Sequence, residues 1–394
     1  YFLPNIAISL TQRMLYKVLH GLLALLAGDA HAGARLFDDL MAHCETKTGI
    51  GTRELYGLAQ QINAMPALAE LVHDAPSRRI LAANGLAAFP EFAARFTRFL
   101  ADHGHRETDF DPYHPTWIDA PWIVLDNIRL LAERSTLESP RDKELDLRLR
   151  QMAAEATLFA RLPANLHFFF HELLRLARAY TTLDDVEHYQ TTRLTLPLRK
   201  ALRELGHRLV RRGVLAEPMD VFFCRFQALD AAIRADDNAL WDQLAASVRR
   251  SKADYLQHRA ATPVWVLGEE HPALADDDGQ RSGRLGGLSG SPGCAEGEVF
   301  QVLSPDDFSG FPKGAVLVAR TTNPAWTPLF YSACAVVTES GGPLSHGAVT
   351  AREMGIPAVM SVHRVLSTLK NGQRVRVDGT RLARMARELR PDLA

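Results

Sequence analysis

The sequence has few cysteines and almost no net charge. Its 394 residues carry a formal net charge of −1, and none of the four cysteines belongs to a Cys-x-x-Cys pair. Scattered cysteines argue against a zinc site and a disulfide framework, so we expect no metal ligands and a cytoplasmic location. The balanced charge argues against a general binder of nucleic acid or membrane surfaces. The four cysteines are Cys44, Cys224, Cys294 and Cys334.

The chain also lacks a long uninterrupted apolar run. Its apolar opening, Phe2–Gly28, is broken by Arg13, Lys17 and His20, whereas a membrane span needs roughly 20 apolar residues. The opening also lacks the charged-then-apolar order of a signal peptide. We predict a core-facing helix over Ile6–Ala27. Because the chain starts almost inside this helix, we expect it to be a fragment of a longer protein.

The glycine patterns of common nucleotide-binding loops are missing. The stretch Gly283–Gly290 is rich in glycine but lacks the lysine of a P-loop, and no dinucleotide-binding pattern occurs. His171 and Glu172 begin a His-Glu-x-x-His pattern, but Arg175 stands where the second histidine is needed. This substitution excludes the corresponding metalloprotease site.

From residue 6 to about 257, hydrophobic spacing predicts helices. Apolar residues recur every three or four positions in Met65–Val72, Phe89–Leu100, Leu147–Leu162, Phe168–Tyr180 and Leu196–Val210. Prolines punctuate these runs and predict turns or first helical turns. They are Pro66, Pro90, Pro112, Pro115, Pro121, Pro163 and Pro197. We therefore predict an all-α domain over residues 1–260.

The composition changes near residue 260. Residues 261–286 are rich in Gly, Asp and Pro, which predicts a linker. Short β-type runs follow at Gly297–Leu303, Ala315–Ala319, Ala335–Thr338, Ala358–Ser361 and Arg374–Asp378. A helix is predicted over His346–Met354. The fold class is therefore multidomain, with an all-α domain followed by a small α/β domain over residues 287–394.

One segment of the second domain has the features of an anion site. The predicted strand Ala335–Thr338 runs into the turn Gly341-Gly342, and Ser345 is a good N-cap residue for the helix that starts at His346. A glycine turn at a helix N-terminus offers free N–H groups and the positive end of the helix dipole. A neutral imidazole in this position suits covalent phosphoryl transfer.

The segment Gly341–Ala358 (GGPLSHGAVTAREMGIPA) resembles the phosphohistidine signature of the PEP-utilising enzymes. Gly287–Gly297 and Ala319–Leu329 are similar to neighbouring segments of that family. The resemblance implies that His346 is transiently phosphorylated and that its domain swivels between two remote sites. It also implies a set of residues that support the phosphoryl group: Gly341, Gly342, Ser345, Arg352 and Thr322.

The order of the domains indicates which members of the family the chain resembles most in organisation. Some members of the family have a barrel after the histidine domain, whereas this sequence ends soon after Asp378 and has a helical domain before the histidine segment. This order is similar to that of rifampicin phosphotransferase and to the large subunit of phenylphosphate synthase. The sequence contains no recognisable ATP-grasp region. The resemblance therefore implies that ATP and Mg²⁺ bind to an ATP-grasp-type domain or subunit outside this sequence.

The helical part carries weaker motifs of the same family. His103–Arg106, followed by Pro115 and Trp117, resembles a segment of the substrate domain, as does Arg199–Phe223. This resemblance implies four substrate-binding residues: His105, Arg106, Asp109 and Arg199.

One departure from the family pattern concerns the acceptor. A basic Arg-Glu-x-x-Lys box is expected before Arg199, but the sequence reads Asp184-Asp-Val-Glu-His188. The acidic character of this stretch indicates an acceptor pocket different from the antibiotic pocket of rifampicin phosphotransferase.

Two functions remain open at this point. The chain is the acceptor-binding and phosphohistidine part of an ATP-dependent phosphotransferase acting on a small-molecule hydroxyl. His188 is then a candidate base, with His105, Asp109 and Asp111 as alternatives. Otherwise it is a non-catalytic phosphocarrier or regulatory module that a partner phosphorylates on His346. A deep cavity lined by His105, Arg106 and His188 would favour the enzyme, and a filled helical core would favour the carrier.

Overall fold

The computed structural model describes residues 2–106, 111–133, 140–260, 284–323, 326–343, 345–380 and 384–387. Up to residue 260 the described chain is helical, in agreement with the predicted all-α region. The helices are α1 (Phe2–Ala27), α2 (Ala30–Leu40), α3 (Lys47–Ala64), α4 (Pro66–Asp74), α5 (Ser77–Ala82), α6 (Pro90–His103), α7 (Pro121–Ala132), α8 (Pro140–Arg161), α9 (His167–Arg211), α10 (Phe226–Ala235) and α11 (Asn238–Ala260). Short 3-10 helices span Gly85–Ala88, Ala164–Leu166 and Pro218–Phe223.

Three of the seven prolines named above begin helices. Pro66, Pro90 and Pro121 begin α4, α6 and α7, where the missing N–H has no helical partner to lose. Pro197 is the exception, because it lies inside the 45-residue helix α9. The prediction of a turn there was wrong. Threonine hydroxyls bind nearby carbonyls of this helix, with Thr192 donating to Tyr189 at 3.0 Å and Thr195 donating to Thr192 at 2.9 Å.

None of the described helices is long and apolar enough to cross a membrane. The opening helix α1 instead packs on α2 and α9. Leu19 and Leu23 of α1 are fully buried, in one apolar cluster with Phe37 of α2 and Leu174 of α9.

Beyond residue 284 the described chain forms one eight-stranded sheet with short helices. The strands are β1 (Arg284–Gly286), β2 (Leu288–Ser291), β3 (Cys294–Val302), β4 (Val316–Ala319), β5 (Ala335–Thr338), β6 (Ala358–Met360), β7 (Arg374–Asp378) and β8 (Arg384–Arg387). The helices are α12 (Thr327–Phe330), α13 (His346–Met354) and α14 (Val365–Thr368), with a 3-10 helix at Pro305–Gly310.

The sheet has the order β1-β8-β7-β3-β4-β5-β6-β2. Strands β3 to β6 are parallel, and the remaining neighbours are antiparallel. Only Gly287 separates β1 from β2, although these strands lie at opposite ends of the order. The sheet must therefore curl until its two ends approach each other.

Two glycines permit this close approach. A Cβ atom on Gly287 would lie 2.6 Å from the Met360 carbonyl oxygen, and one on Gly379 would lie 2.0 Å from that of Ser291. The predicted linker extended to residue 286, but Arg284–Gly286 pairs with β8 and belongs to the sheet. Residues 261–283 lie outside the described part of the chain.

A single apolar core joins the helical region to the sheet domain. Phe92 of α6 and Ile128 of α7 belong to the same buried cluster as Phe308, Phe330 and Met354 of the second domain. All but Met354 have almost no exposed surface. Burial of this apolar area is the main force that holds the two parts together. It also fixes the position of α13, the helix that begins at His346.

The tight packing of α9 against the Pro218–Phe223 helix can be tested at a glycine. A Cβ on Gly206 would lie 2.0 Å from the Pro218 carbonyl oxygen. We expect Gly206→Ala to lower the free energy of unfolding by about 1–3 kcal/mol, because the backbone must shift to accept the methyl group.

Gly21 of α1 is the matched control. A Cβ there meets no atom within 4 Å, so Gly21→Ala should raise the free energy of unfolding by about 0.5–1 kcal/mol through helix propensity. Urea unfolding of both variants measures the two effects. Equal effects of the two substitutions would contradict the packing described for α9.

Candidate functional site

A glycine turn closed by Ser345 presents His346. Strand β5 is fully buried and leads into this turn, where Gly341 has φ +108°, a conformation that favours glycine. Ser345 occupies the predicted N-cap position in an extended conformation, but its hydroxyl does not cap α13. It donates instead to the Gly342 carbonyl at 2.7 Å. Ser345 is therefore the N-cap residue by position, as predicted, while its side chain fixes the turn.

The C-terminus of α13 lies where the sequence predicts it. Gly355 has φ +63° and terminates the helix, which is the usual role of glycine at this position. The helix therefore spans His346–Met354, the predicted range.

The His346 imidazole is held on one side only. Its Nε2 atom lies 3.1 Å from the Thr350 hydroxyl, one turn further along α13. Its Nδ1 atom is buried and has no hydrogen-bond partner among the described residues. When Nε2–H donates to Thr350, the lone pair of the ring lies on Nδ1. One nitrogen is thus engaged and the other is available.

The surroundings of His346 keep the ring neutral. Burial lowers the pKa of His346 to about 3, and the nearby His188 and Arg106 lower it further. These two residues belong to the helical region, so α13 places His346 against that region. A neutral imidazole at physiological pH has the lone pair that nucleophilic attack requires.

Thr322 and Arg352 have different roles around this turn. The Thr322 hydroxyl is buried without a hydrogen-bond partner in the described structure. A Cβ on Gly347 would lie 2.6 Å from it, so Thr322 packs against the first turn of α13, beside His346. Arg352 donates to the carbonyls of Gly290 at 2.9 Å and Pro343 at 2.7 Å. Arg352 therefore braces the turn.

The opposing wall centres on the ring of Tyr189 in α9. The His105 ring meets it edge-on at 4.4 Å between centroids. Two cations approach the same ring, with Arg106 at 5.6 Å and Lys47 at 5.9 Å from its centroid. The Tyr189 hydroxyl donates to the Asp102 carbonyl at 2.8 Å, which fixes the ring. Charged and aromatic groups are therefore held together on the ring of Tyr189.

The histidines of this wall are also neutral. Burial and then Arg106 lower the pKa of His105 to about 3. Burial and then Arg106 also lower the pKa of His188, whereas the carboxylates of Asp185, Glu187 and Asp184 raise it. A neutral His188 can accept a proton.

The acidic stretch that precedes Arg199 in the sequence has structural contacts. Asp184 accepts a hydrogen bond from Ser9 at 2.9 Å. Asp185 binds the start of α3, accepting from the Lys47 N–H at 2.6 Å, the Thr48 N–H at 3.3 Å and the Thr48 hydroxyl. Asp185 thus provides α3 with an N-terminal carboxylate from another helix.

Arg199 lies in a separate cluster. It donates to Asp119 at 2.8 Å and to the carbonyls of Pro112 and Tyr113. Its ring contact is with Phe222. These bonds tie α9 to the chain before α7, and the structure does not bring Arg199 to His346. Asp109 lies outside the described residues.

Sequence reasoning missed Thr350 and Glu353, which share a face of α13 with His346. The spacing of residues 346, 350 and 353 is the usual signal for one helical face. Glu353 and Val349 line a small cavity of about 20 Å³, roughly the volume needed for one water molecule. Its other walls come from Tyr16, Phe37, Met41, Cys44, Thr181 and Arg352. This is not the deep cavity lined by His105, Arg106 and His188 that would favour an enzyme.

Glu353 offers a test of this arrangement through pH. Burial, and then the Asp185 carboxylate, raise the pKa of Glu353 from 4.5 to about 8. Between these values the folded protein holds a proton that the unfolded chain releases, so this group lowers stability as pH rises. Glutamine cannot ionise. Glu353→Gln should therefore stabilise the fold more at pH 8 than at pH 5, by on the order of 1–3 kcal/mol.

Thermal midpoints of the variant and the wild type at both pH values measure this difference. Glu70→Gln, at an exposed site on α4, is the control and should shift the midpoint equally at both pH values. A Glu353→Gln effect that does not depend on pH would contradict the burial of this carboxyl group.

Two protein-family models match parts of the chain. Residues 311–382 match the family model described as PEP-utilising enzyme, mobile domain. Residues 1–185 match the model described as rifampicin phosphotransferase fourth domain. The first match contains the turn and α13, and the second contains α3, Arg106 and Asp185.

Three curated relatives illustrate the range of similar proteins. A rifampicin phosphotransferase from Streptomyces sp. is 36% identical over 53% of this chain and 24% of its own length. Chondramide synthase cmdD from Chondromyces crocatus is 28% identical over 87% of this chain and 9% of its own length. Prodigiosin synthesizing transferase PigC from Serratia marcescens is 27% identical over 83% of this chain and 37% of its own length.

The chain thus spans about a quarter of the rifampicin phosphotransferase that it matches. Among solved structures, aconitase X from Thermococcus kodakaraensis matches 27% of this chain and 98% of its own, with 21% identity and a TM-score of 0.22. That similarity is too low to bear on the fold. Residues 1–185 are thus similar to the fourth domain of rifampicin phosphotransferase and residues 311–382 to the mobile domain of PEP-utilising enzymes, which confirms the resemblance seen in the sequence.

Proposed function

We propose that this chain is the acceptor-binding and phosphohistidine part of an ATP-dependent phosphotransferase, with His346 as the carrier. The observation that carries the proposal is the position of His346 at the start of α13, half-buried and near enough to His188 and Arg106 of the helical region for both to lower its pKa. Its presence in a segment matched to the mobile domain of PEP-utilising enzymes supports the same role.

The first step loads the carrier. The lone pair of the neutral His346 ring attacks the phosphorus atom of the donor, an N–P bond forms, and the donor's P–O bond breaks with its electron pair on the leaving oxygen. This step requires the neutral form of the ring, whose nitrogen lone pair is free to attack. The Thr350 hydroxyl holds the orientation of the ring.

The second step discharges the carrier to a hydroxyl group. The acceptor oxygen bonds to phosphorus, the N–P bond breaks, and its electron pair returns to the His346 ring. The acceptor proton passes to a base, for which neutral His188 is the best placed of the candidates that the structure describes. Arg106 stabilises the negative charge of the transferring group.

We propose that ATP binds elsewhere, in an ATP-grasp-type domain or subunit. The relatives named rifampicin phosphotransferase are much longer than this chain, which supports this division. Mg²⁺ would neutralise the charge on the nucleotide phosphates there. The described residues hold no group of three or more His, Cys, Asp or Glu side chains placed to bind a metal, so no step is assigned to Mg²⁺ on this chain.

The acceptor is proposed to be a small molecule with a hydroxyl group. The relatives carry names that refer to rifampicin, chondramide and prodigiosin, so similarity does not single out one acceptor. Asp184 and Asp185 occupy the place of the expected basic box and bind Ser9 and α3. Their contacts support a pocket different from the antibiotic pocket.

Loading can be tested by mass. After incubation of the chain with ATP, Mg²⁺ and lysate of the source cells, intact-mass analysis at alkaline pH should show a phosphate-sized gain. His346→Ala should abolish it, because the variant lacks the nucleophile. His363→Ala, which removes another histidine of the same domain, should retain it. A gain that persists in His346→Ala would contradict the carrier role.

Discharge separates the enzyme from the phosphocarrier. The phosphorylated chain is mixed with a panel of alcohols and phenols, and loss of the N–P bond is followed by phosphorus NMR. A phosphorylated product formed by the wild type, and formed at least tenfold more slowly by His188→Gln, supports an acceptor site with His188 as base. Stable phosphohistidine with every hydroxyl would favour the non-catalytic carrier.

A further inference from the structure

The guanidinium of Arg106 is buried, and no carboxylate of the described residues is bound to it. Only 6% of the residue is exposed, and its one hydrogen bond to a described residue runs from Nη2 to the Lys47 carbonyl at 3.1 Å. Its Nε–H has no partner among the described residues. A buried charge in this condition is costly unless an anion completes its bonds.

Arg199 shows how this protein satisfies a structural arginine. It is buried to the same extent, with 5% exposed, but it pairs with Asp119 at 2.8 Å and binds two carbonyls. The two arginines therefore differ in their partners and not in their depth. Arg199 is paired with a carboxylate, whereas Arg106 is paired with none among the described residues.

A second unpartnered nitrogen lies beside Arg106. His105 is 4% exposed, and its Nε2 atom is buried without a hydrogen-bond partner in the described part of the chain. The ring of His105 and the guanidinium of Arg106 both pack on Tyr189. The two side chains are therefore fixed on one aromatic surface, and each has a nitrogen with no hydrogen-bond partner.

Among the described residues, the other charges around this pair leave the Arg106 Nε–H without an acceptor. Asp185 is near enough to stabilise the charge of Arg106, but both its oxygens bind the start of α3. Lys47 and Arg193 add positive charge from α3 and α9. The surroundings are thus suited to an oxyanion with more than one negative charge.

We propose that Arg106 and His105 form the site of the helical region that binds the phosphoryl group carried by His346. This inference rests on the proposed function in one respect, the arrival of the phosphoryl group on His346. Arg106 is near enough to His346 to lower its pKa, so a phosphohistidine would bring about two negative charges close to the Arg106 guanidinium. The same site would hold the phosphoryl oxygens while the N–P bond is replaced by the bond to the acceptor.

Binding of inorganic phosphate to the chain tests the site by itself. Isothermal titration should show phosphate binding to the wild type and to His346→Ala. Arg106→Gln should weaken it about tenfold or more, the value of a lost charge-assisted bond. Arg106→Lys should retain part of the affinity, and His105→Gln should reduce it by a smaller factor than Arg106→Gln does.

Arg129→Gln is the matched control, because Arg129 pairs with Asp126 at 2.8 Å on α7 and should not affect phosphate binding. Near-ultraviolet circular dichroism establishes that each variant is folded. If Arg106→Gln unfolds, the comparison of Arg106→Lys with the wild type replaces it. An absence of phosphate binding, equal affinities of the wild type and the folded Arg106 variants, or equal affinities for acetate and phosphate would overturn the proposal.

The use of His346→Ala separates this inference from the carrier role. Phosphate binding by this variant, combined with a wild type that is never phosphorylated, would retain the site and remove the carrier. Phosphorylation of His346 without any phosphate binding would retain the carrier and remove the site.

Discussion

Burial of α13 against the helical region is the constraint on which the rest of the structure depends. The apolar cluster that includes Phe92 and Ile128 continues into Phe330 and Met354 without a break between the two parts. The packing of this shared core sets where His346 lies and which groups it faces. The chemistry of the site follows from that position, because the same histidine on a free domain would be solvated and would titrate near its ordinary pKa.

Burial has a second consequence, which is electrostatic. The pKa of His346 and that of His188 are both lowered, so two neutral imidazoles meet at the interface. The pKa of Glu353 is raised on the same helix, so a carboxyl group also loses its charge there. Arg106 keeps its charge and binds no carboxylate of the residues that the structure describes. This imbalance favours the arrival of an anion, which the phosphoryl group would supply.

The sequence was most informative where one local rule decides the structure. The double glycine, Ser345, His346, Gly355 and the following proline predicted the turn and both ends of α13, and the structure has them in these places. Proline failed as a guide at Pro197, because packing along α9 overrides the local preference for a break.

The interface itself could not be predicted from local patterns. The ion pair of Arg199 with Asp119 and the bonds from Asp185 to α3 join residues that are 80 or more positions apart. No local spacing distinguishes Arg199, which is paired with Asp119, from Arg106, which binds no carboxylate of the described residues. Thr350 and Glu353 could have been found from helical spacing once His346 was chosen, since all three lie on one face. The difference between Arg199 and Arg106 lies in tertiary packing, which one sequence does not reveal.

The most direct test of the account is the state of the His346 ring in solution. Long-range nitrogen–proton NMR of histidine-labelled chain, with His346→Ala to assign the signal, follows the ring between pH 8 and pH 5. We predict a neutral ring in a single tautomer throughout this range, because the packing of α13 near the helical region lowers the pKa of His346. A ring that titrates at the ordinary value near 6.5 would show that His346 is solvated, and would contradict the placement of the carrier against His188 and Arg106.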